Sequence, residues 1–185
     1  MIIRKATIED SESIAKHLLL AMEEIIYKFI AERDPKTAYY FLLHFVESES
    51  NQYSYQNCFV AEENDEIVGA VAVYDGGKLQ ELRKPIIDYV RLNFNPDFSP
   101  ENETQSGEFY IDSLGVNPNH QGKGIGSKIL QFLIEEFVNK NNQTLGLLVE
   151  EENPNAKKLY LKLGFKPVGE KTLVGKKLEH LQIKK

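Results

Sequence analysis

Between a strand-like run from Phe109 to Val116 and a helical apolar stripe (Ile125, Ile129, Leu130, Leu133, Ile134, Phe137) lies Gln121-Gly122-Lys123-Gly124-Ile125-Gly126. A chain that turns through glycines into a helix leaves the first backbone N–H groups of that helix unpaired and pointing outward. The helix dipole adds partial positive charge there, and glycine lets the backbone approach an anion with no Cβ in the way. The segment is expected to hold a phosphate-bearing ligand, with Lys123 adding charge at the rim. The plainer alternative is a tight turn that packs a helix on a sheet.

Two nucleotide signatures do not fit. A P-loop needs an earlier glycine and then Gly-Lys followed by Ser or Thr, which Gly122-Lys123-Gly124 does not supply. In the dinucleotide fingerprint the third glycine would fall on Ser127, and the loop lies far down the chain rather than in an opening βαβ unit.

The 185 residues fit one domain, 1–185, and an apolar fraction of 42% is enough for a sizeable core. A net charge of -6 argues against broad phosphate neutralisation, so no nucleic-acid partner is expected. No apolar stretch approaches the ~18 residues of a membrane span, and the start lacks a signal-peptide pattern, so no membrane partner and a cytoplasmic location are expected. The one cysteine, Cys58, cannot form an intramolecular disulfide and sits in an apolar run, Cys58-Phe59-Val60-Ala61, as a small core residue.

The rest of the chain reads as alternating strands and helices. Ile2 to Lys5 is a strand, and Thr7 with Asp10 opens a helix that carries Ile14, Leu18, Met22, Ile25, Ile26 and Phe29. Asp34-Pro35 starts a second helix. Cys58 to Glu62 and Ile67 to Tyr74 form a hairpin about Asn64-Asp65, with both faces of the second strand apolar. Residues 76–106 hold helical spacing interrupted or started near Pro85 and then turn chemistry, a candidate lid or substrate wall. Leu145 to Val149 is a strand. Asn153-Pro154 opens a helix that Gly164 ends, and Phe165 to Val168 with Leu173 to Ile183 suggests a closing hairpin. This order belongs to the mixed α/β class.

Two segments then carry a resemblance. Val116-x-Pro118-x-x-Gln121-x-x-Gly124-x-Gly126 resembles the acyl-CoA-binding signature of the GNAT superfamily of N-acetyltransferases, and Asn153-x-x-Ala156-x-x-Leu159-Tyr160-x-x-Leu163-Gly164-Phe165 resembles its C-terminal motif. The opening Ile3-Arg4-Lys5-Ala6-Thr7 with Asp10 is similar to the family's usual start, whereas residues 76–106 match nothing in it. The resemblance implies an acyl-CoA N-acyltransferase fold, a central, mostly antiparallel twisted sheet flanked by helices. It implies acetyl-CoA as co-substrate, no metal, and an amine acceptor, either a small molecule or a protein amine.

The residue roles follow from the same resemblance. The backbone of Gln121, Gly122, Lys123, Gly124, Ile125 and Gly126 would hold the pyrophosphate. The main chain of Leu114, Gly115 and Val116 would hold the pantetheine arm where strands splay. Asn153, with Asn155 or Lys157, would assist. Tyr160 would protonate the departing thiolate or hydrogen-bond its sulfur. Glu108 and Asp112, four apart on one strand, share a face with Tyr110, and either could be the base that takes the amine's proton; a solvated strand end or a structural hydrogen-bonder is the alternative for each. His120 abuts the loop, and His180 could line the acceptor site. Glu150-Glu151-Glu152 reads as a solvated strand end that could also attract cationic amines.

The first functional reading is an acetyl-CoA-dependent N-acetyltransferase. The competing one is a non-catalytic acyl-CoA-binding or regulatory module of the same fold. The acceptor is not readable, and oligomeric state is open, a homodimer included.

Overall fold

The computed structural model describes residues 1–185. In chain order it contains β1 (Ile2–Lys5), α1 (Ser11–Ile30), α2 (Pro35–Glu47), β2 (Cys58–Glu63), β3 (Glu66–Asp75), α3 (Leu79–Asn93), β4 (Phe109–Val116), α4 (Ile125–Leu133, continuing as a π-helix through Lys140), β5 (Leu145–Glu150), α5 (Pro154–Lys162), β6 (Lys166–Leu173) and β7 (Lys176–Ile183). The seven strands form one sheet in the order β1-β2-β3-β4-β5-β7-β6. Only β4 and β5 run parallel; every other neighbouring pair is antiparallel.

Local chemistry explains most element ends. Thr7 and Asp10 form the capping box, and Arg4 holds Asp10 with two hydrogen bonds of 2.7 and 2.9 Å. Asp34 accepts from the Thr37 N–H at 2.8 Å, with Pro35 at the first helical position. Asn64 and Asp65 both adopt left-handed φ, 53° and 61°, as a two-residue hairpin requires.

Both faces of the sheet are covered. Ile14, Leu18 and Ile26 of α1 and Phe41 and Leu42 of α2 pack with Val60, Ala70 and Ala72. On the other face Ile125, Ile129 and Leu133 of α4 pack with Val71, Val73 and Ile111. β3 is buried on both sides, as its unbroken apolar run predicts. Gly115 brings β4 against α1: a Cβ there would overlap the His17 carbonyl oxygen.

Two expectations need correction. α3 is one helix that runs through Pro85 rather than breaking there; the proline gives up the bond its N–H would make to the Glu81 carbonyl, and the helix continues to Asn93. The closing hairpin turns at Val174-Gly175, so β6 extends to Leu173 and β7 begins at Lys176. Gly169 sits at a register shift within β6, an exposed edge strand that tolerates it. Residues 76–106, read from sequence as a candidate lid or substrate wall, bury Leu79, Arg83, Ile86, Val90, Phe98, Glu103 and Thr104, and Glu103 lines the cleft between β4 and β5. No helix is long and apolar enough to cross a membrane.

Candidate functional site

The site begins at a failure of pairing. β4 and β5 are in register only from Phe109–Leu145 to Ile111–Leu147, and beyond that the two strands part. A cleft of about 520 Å³ opens between them. Asp112, Ser113 and Leu114 form one wall and Leu148, Val149 and Glu150 the other. Asn153, Ala156 and Tyr160 of the α5 segment close one side. Leu20 to Ile25 of α1 close another, where the helix is kinked at Met22 (φ -132°, ψ 20°).

A β-bulge sets what β4 presents. Val73 pairs with Ile111 and Ala72 with Ser113, so Asp112 is an extra residue on β4. A bulge re-aims the side chains on either side of it. Glu108, Tyr110 and Asp112 keep to one face, as alternation predicts, but beyond the bulge the phase inverts. Gly115 then faces α1, while Leu114 and Val116 lie 3.6 and 3.9 Å from where a Cβ on Gly126 would stand. Leu114 thus joins the cleft to the glycine loop.

The loop has the shape its sequence implies. Gly122 and Gly124 adopt φ of 78° and 76°, which L side chains rarely reach, and nothing lies within 4 Å of either Cβ position. Gly124 caps α4 with no side chain on the first N–H groups. Gln121 to Gly124 are exposed. A loop with open N–H groups at a helix start suits a phosphate chain.

At the floor of the cleft is a buried polar cluster. The Tyr74 hydroxyl donates to Glu103 Oε1 (3.0 Å) and Asp112 Oδ2 (3.1 Å), and Gln52 Nε2 donates to the same oxygens at 3.1 and 2.9 Å. Arg83, itself buried, places Nη2 2.5 Å from Glu103 Oε1, and its Nη1 donates to the Glu101 carbonyl at 2.7 Å. Burial and then the charge of Glu103 push the Asp112 carboxyl up to about 8, against the pull of Tyr74, Arg83 and Gln52. Burial raises the Tyr160 phenol, so it stays protonated at neutral pH.

The sequence candidates therefore divide. Asp112, Leu114, Asn153 and Tyr160 line one cleft. Val116 and Gln121 to Gly126 lie around the start of α4. Asn153 uses Oδ1 to cap α5, accepting from the Ala156 N–H at 3.2 Å. Asn155 is exposed on α5 and outside the lining, and Gly115 is taken up by packing on α1.

Glu108 stands apart from Asp112 and outside the cleft lining. It passes over Gly146 and accepts from Thr104 (2.7 Å), Gln182 (2.7 Å) and His180 (2.8 Å). Burial would raise its carboxyl, but those three hydrogen bonds outweigh it and hold the group below its ordinary range. His180 is committed to this pair and does not line the cleft. Glu150 does line it, paired with Lys176 at 2.9 Å. Cys58 is fully buried, and burial pushes its thiol up to about 12.

Sequence reasoning missed Glu103, Gln52, Arg83 and Tyr74, and also Tyr53, which lines the cleft. Glu103 lies in a stretch with no periodicity, and Gln52 and Tyr53 in a turn-rich linker. Tyr74 ends a strand that otherwise reads only as core.

Residues 19–165 match the Acetyltransferase (GNAT) family. A spermine/spermidine N(1)-acetyltransferase of Bacillus subtilis (strain 168) is 27% identical over 94 residues, covering 50% of this chain and 60% of that protein. The chain thus spans less than two thirds of the length of that curated relative. A crystal structure of an acetyltransferase is 30% identical, with a TM-score of 0.79, covering 100% of this chain and 99% of its own. The fold is also that of yncA from Salmonella typhimurium, solved with its cofactor acetyl-CoA, at 20% identity and a TM-score of 0.57, with 100% and 93% of the two chains covered.

Proposed function

The chain belongs to the acetyltransferase (GNAT) family, and from that premise we propose that it is an acetyl-CoA-dependent N-acetyltransferase that acts on a primary amine. The observation that carries the reading is the parting of β4 and β5, with the carboxyl of Asp112 on one wall, the phenol of Tyr160 at the side, and Leu114 leading to the glycine loop. The name of the Bacillus subtilis relative supports an amine acceptor.

Acetyl-CoA lies along the parted strands, its pyrophosphate on the N–H groups around Gln121 to Gly126 and its pantetheine arm on the main chain of Leu114 to Val116. The acceptor enters beside the kink of α1. An ammonium has no lone pair, so Asp112, once ionised, takes one proton from it. The freed amine nitrogen bonds to the thioester carbonyl carbon, and the carbon–sulfur bond breaks. Tyr160 gives its proton to the departing thiolate, and the nitrogen, cationic once bonded to carbon, gives up its surplus proton to the phenolate so formed, which leaves a neutral amide, the free thiol and protonated Tyr160. The elevated carboxyl of Asp112 suits a base that works near neutral pH, and the raised phenol of Tyr160 suits an acid.

Glu108 does not serve as the base in this scheme, because its oxygens are occupied by three donors away from the cleft. The whole chain, 1–185, is assigned to this one activity.

The test is a thiol-release assay of purified protein with acetyl-CoA and a panel of primary amines, with mass spectrometry of the product. Amine-dependent release matched by N-acetylated product supports the reading. Release that no amine accelerates contradicts it.

A further inference from the structure

Glu103 and Asp112 each use only one carboxylate oxygen within the protein. Tyr74, Gln52 and Arg83 all address Glu103 Oε1, and Tyr74 and Gln52 address Asp112 Oδ2. Glu103 Oε2 and Asp112 Oδ1 are left over, and both residues line the cleft. Beside them is a group with no role in the fold: Ser113 is 6% exposed, lines the same cleft, and its buried Oγ has no hydrogen-bond partner. An unpaired buried hydroxyl costs about 1–3 kcal/mol, so such a group in a cleft points to a ligand that satisfies it.

Resting on the N-acetyltransferase reading, we infer that Asp112, Glu103 and Ser113 form the acceptor subsite and select a primary alkylammonium that bears no carboxylate on the carbon next to nitrogen. The match is one of hydrogen-bond count. A primary ammonium has three donors and no acceptor. The cleft floor offers two carboxyl oxygens and a hydroxyl oxygen, none of which accepts a hydrogen bond within the protein. A secondary or tertiary ammonium would leave acceptors unpaired.

The exclusion of α-amino acids is electrostatic. Five acidic side chains line the cleft, Glu23, Glu24, Glu103, Asp112 and Glu150, and Lys176 is its one cation. Lys176 is already paired with Glu150, and the buried Arg83 faces Glu103 from behind. Glu24 is held by Arg33 and Glu23 accepts from Tyr27. A carboxylate beside the reacting nitrogen would therefore meet like charge at close range with no free cation to receive it.

Butylamine and norvaline test this, since norvaline is butylamine with a carboxylate on the carbon that bears nitrogen. The readouts are acetyl-CoA binding by calorimetry and kcat/KM for each amine. Wild type is expected to use butylamine at least about tenfold better, the least that a like-charge contact in a low-dielectric cleft implies. Glu103→Gln is expected to narrow that ratio about tenfold, with acetyl-CoA affinity unchanged. Ser113→Ala, which removes one acceptor and little volume, is expected to raise KM for butylamine severalfold and leave acetyl-CoA affinity alone. Equal use of the two amines, preference for norvaline, or use of neither by protein that binds acetyl-CoA overturns the inference while leaving the cofactor reading in place. Protein that does not bind acetyl-CoA overturns both.

Discussion

Glu103 and Asp112 hold two donors in common: the Tyr74 hydroxyl lies 3.0 and 3.1 Å from their oxygens, and Gln52 Nε2 lies 3.1 and 2.9 Å from the same two. A negative charge this close to Asp112 disfavours the ionised form of Asp112. Arg83 is ion-paired with Glu103, and burial together with the charge of Glu103 raises the Asp112 carboxyl to about 8.

A pH dependence follows. kcat/KM should rise with pH through about 8, because only ionised Asp112 accepts a proton. Tyr74→Phe removes a donor that favours the ionised form, so the rising limb should move to higher pH. The same amine is used for both enzymes, which cancels the substrate's own ionisation. A limb that stays in place, or moves down, would show that Asp112 is not the titrating base.

Tyr160→Phe separates chemistry from binding. Burial alone raises this phenol, with no hydrogen bond from another side chain contributing, so its loss disturbs little in the fold. Removing a general acid lowers kcat by about 10²–10⁴-fold. Acetyl-CoA affinity should change by less than about threefold, since the ring and its packing against Phe165 remain. Unchanged kcat would take Tyr160 out of the mechanism.

Glu108 and Asp112 should affect stability with opposite signs. The Glu108 carboxyl is lowered in the native state, so its contribution is present above its ordinary value of 4.5 and fades as pH falls. Glu108→Gln should lower Tm near neutral pH, converge with wild type as pH falls below 4.5, and leave kcat within about threefold. The Asp112 carboxyl is raised, so the native state holds a proton that the unfolded chain releases between 3.8 and about 8. Asp112→Asn should therefore raise Tm at pH 8 by about 2–4 °C per kcal/mol relieved, with no gain near pH 4, while abolishing turnover. Thermal scans across pH read both signs.

Gly124→Ala tests the glycine loop. Nothing stands within 4 Å of the added methyl group, so the effect is conformational: φ of 76° strains an L residue by about 1–2 kcal/mol. The expected result is acetyl-CoA binding weakened about tenfold, with the KM of the amine unaffected. Binding as tight as wild type would mean that the loop geometry is not what holds the cofactor.

The sequence carried the fold further than it carried the site. Strand and helix starts at Asp34-Pro35, Asn64-Asp65 and Asn153-Pro154 are local signals, and the structure uses each one. Phe109–Val116 was legible because it is rich in apolar and aromatic residues and precedes a glycine turn. The bulge at Asp112 was not, since it exists only in the register with β3. The kink at Met22 has no glycine or proline to announce it. Arg83, Gln52 and Glu103 come from three separate segments, and only the packing of α3 and its following loop brings them to one point. Glu108 and Asp112 looked equivalent on a strand four residues apart. What separates them is the set of partners each meets, His180 and Gln182 from β7 for one and Tyr74 from β3 for the other.

The most direct test of the central claim is calorimetric titration of the purified protein with acetyl-CoA, CoA, ATP and NAD. Parted strands that end on an open glycine loop should bind acetyl-CoA and CoA at micromolar levels, about -8 kcal/mol, and the two nucleotides far more weakly. No heat with either CoA compound at concentrations well above micromolar, or equal binding of NAD, would contradict the account.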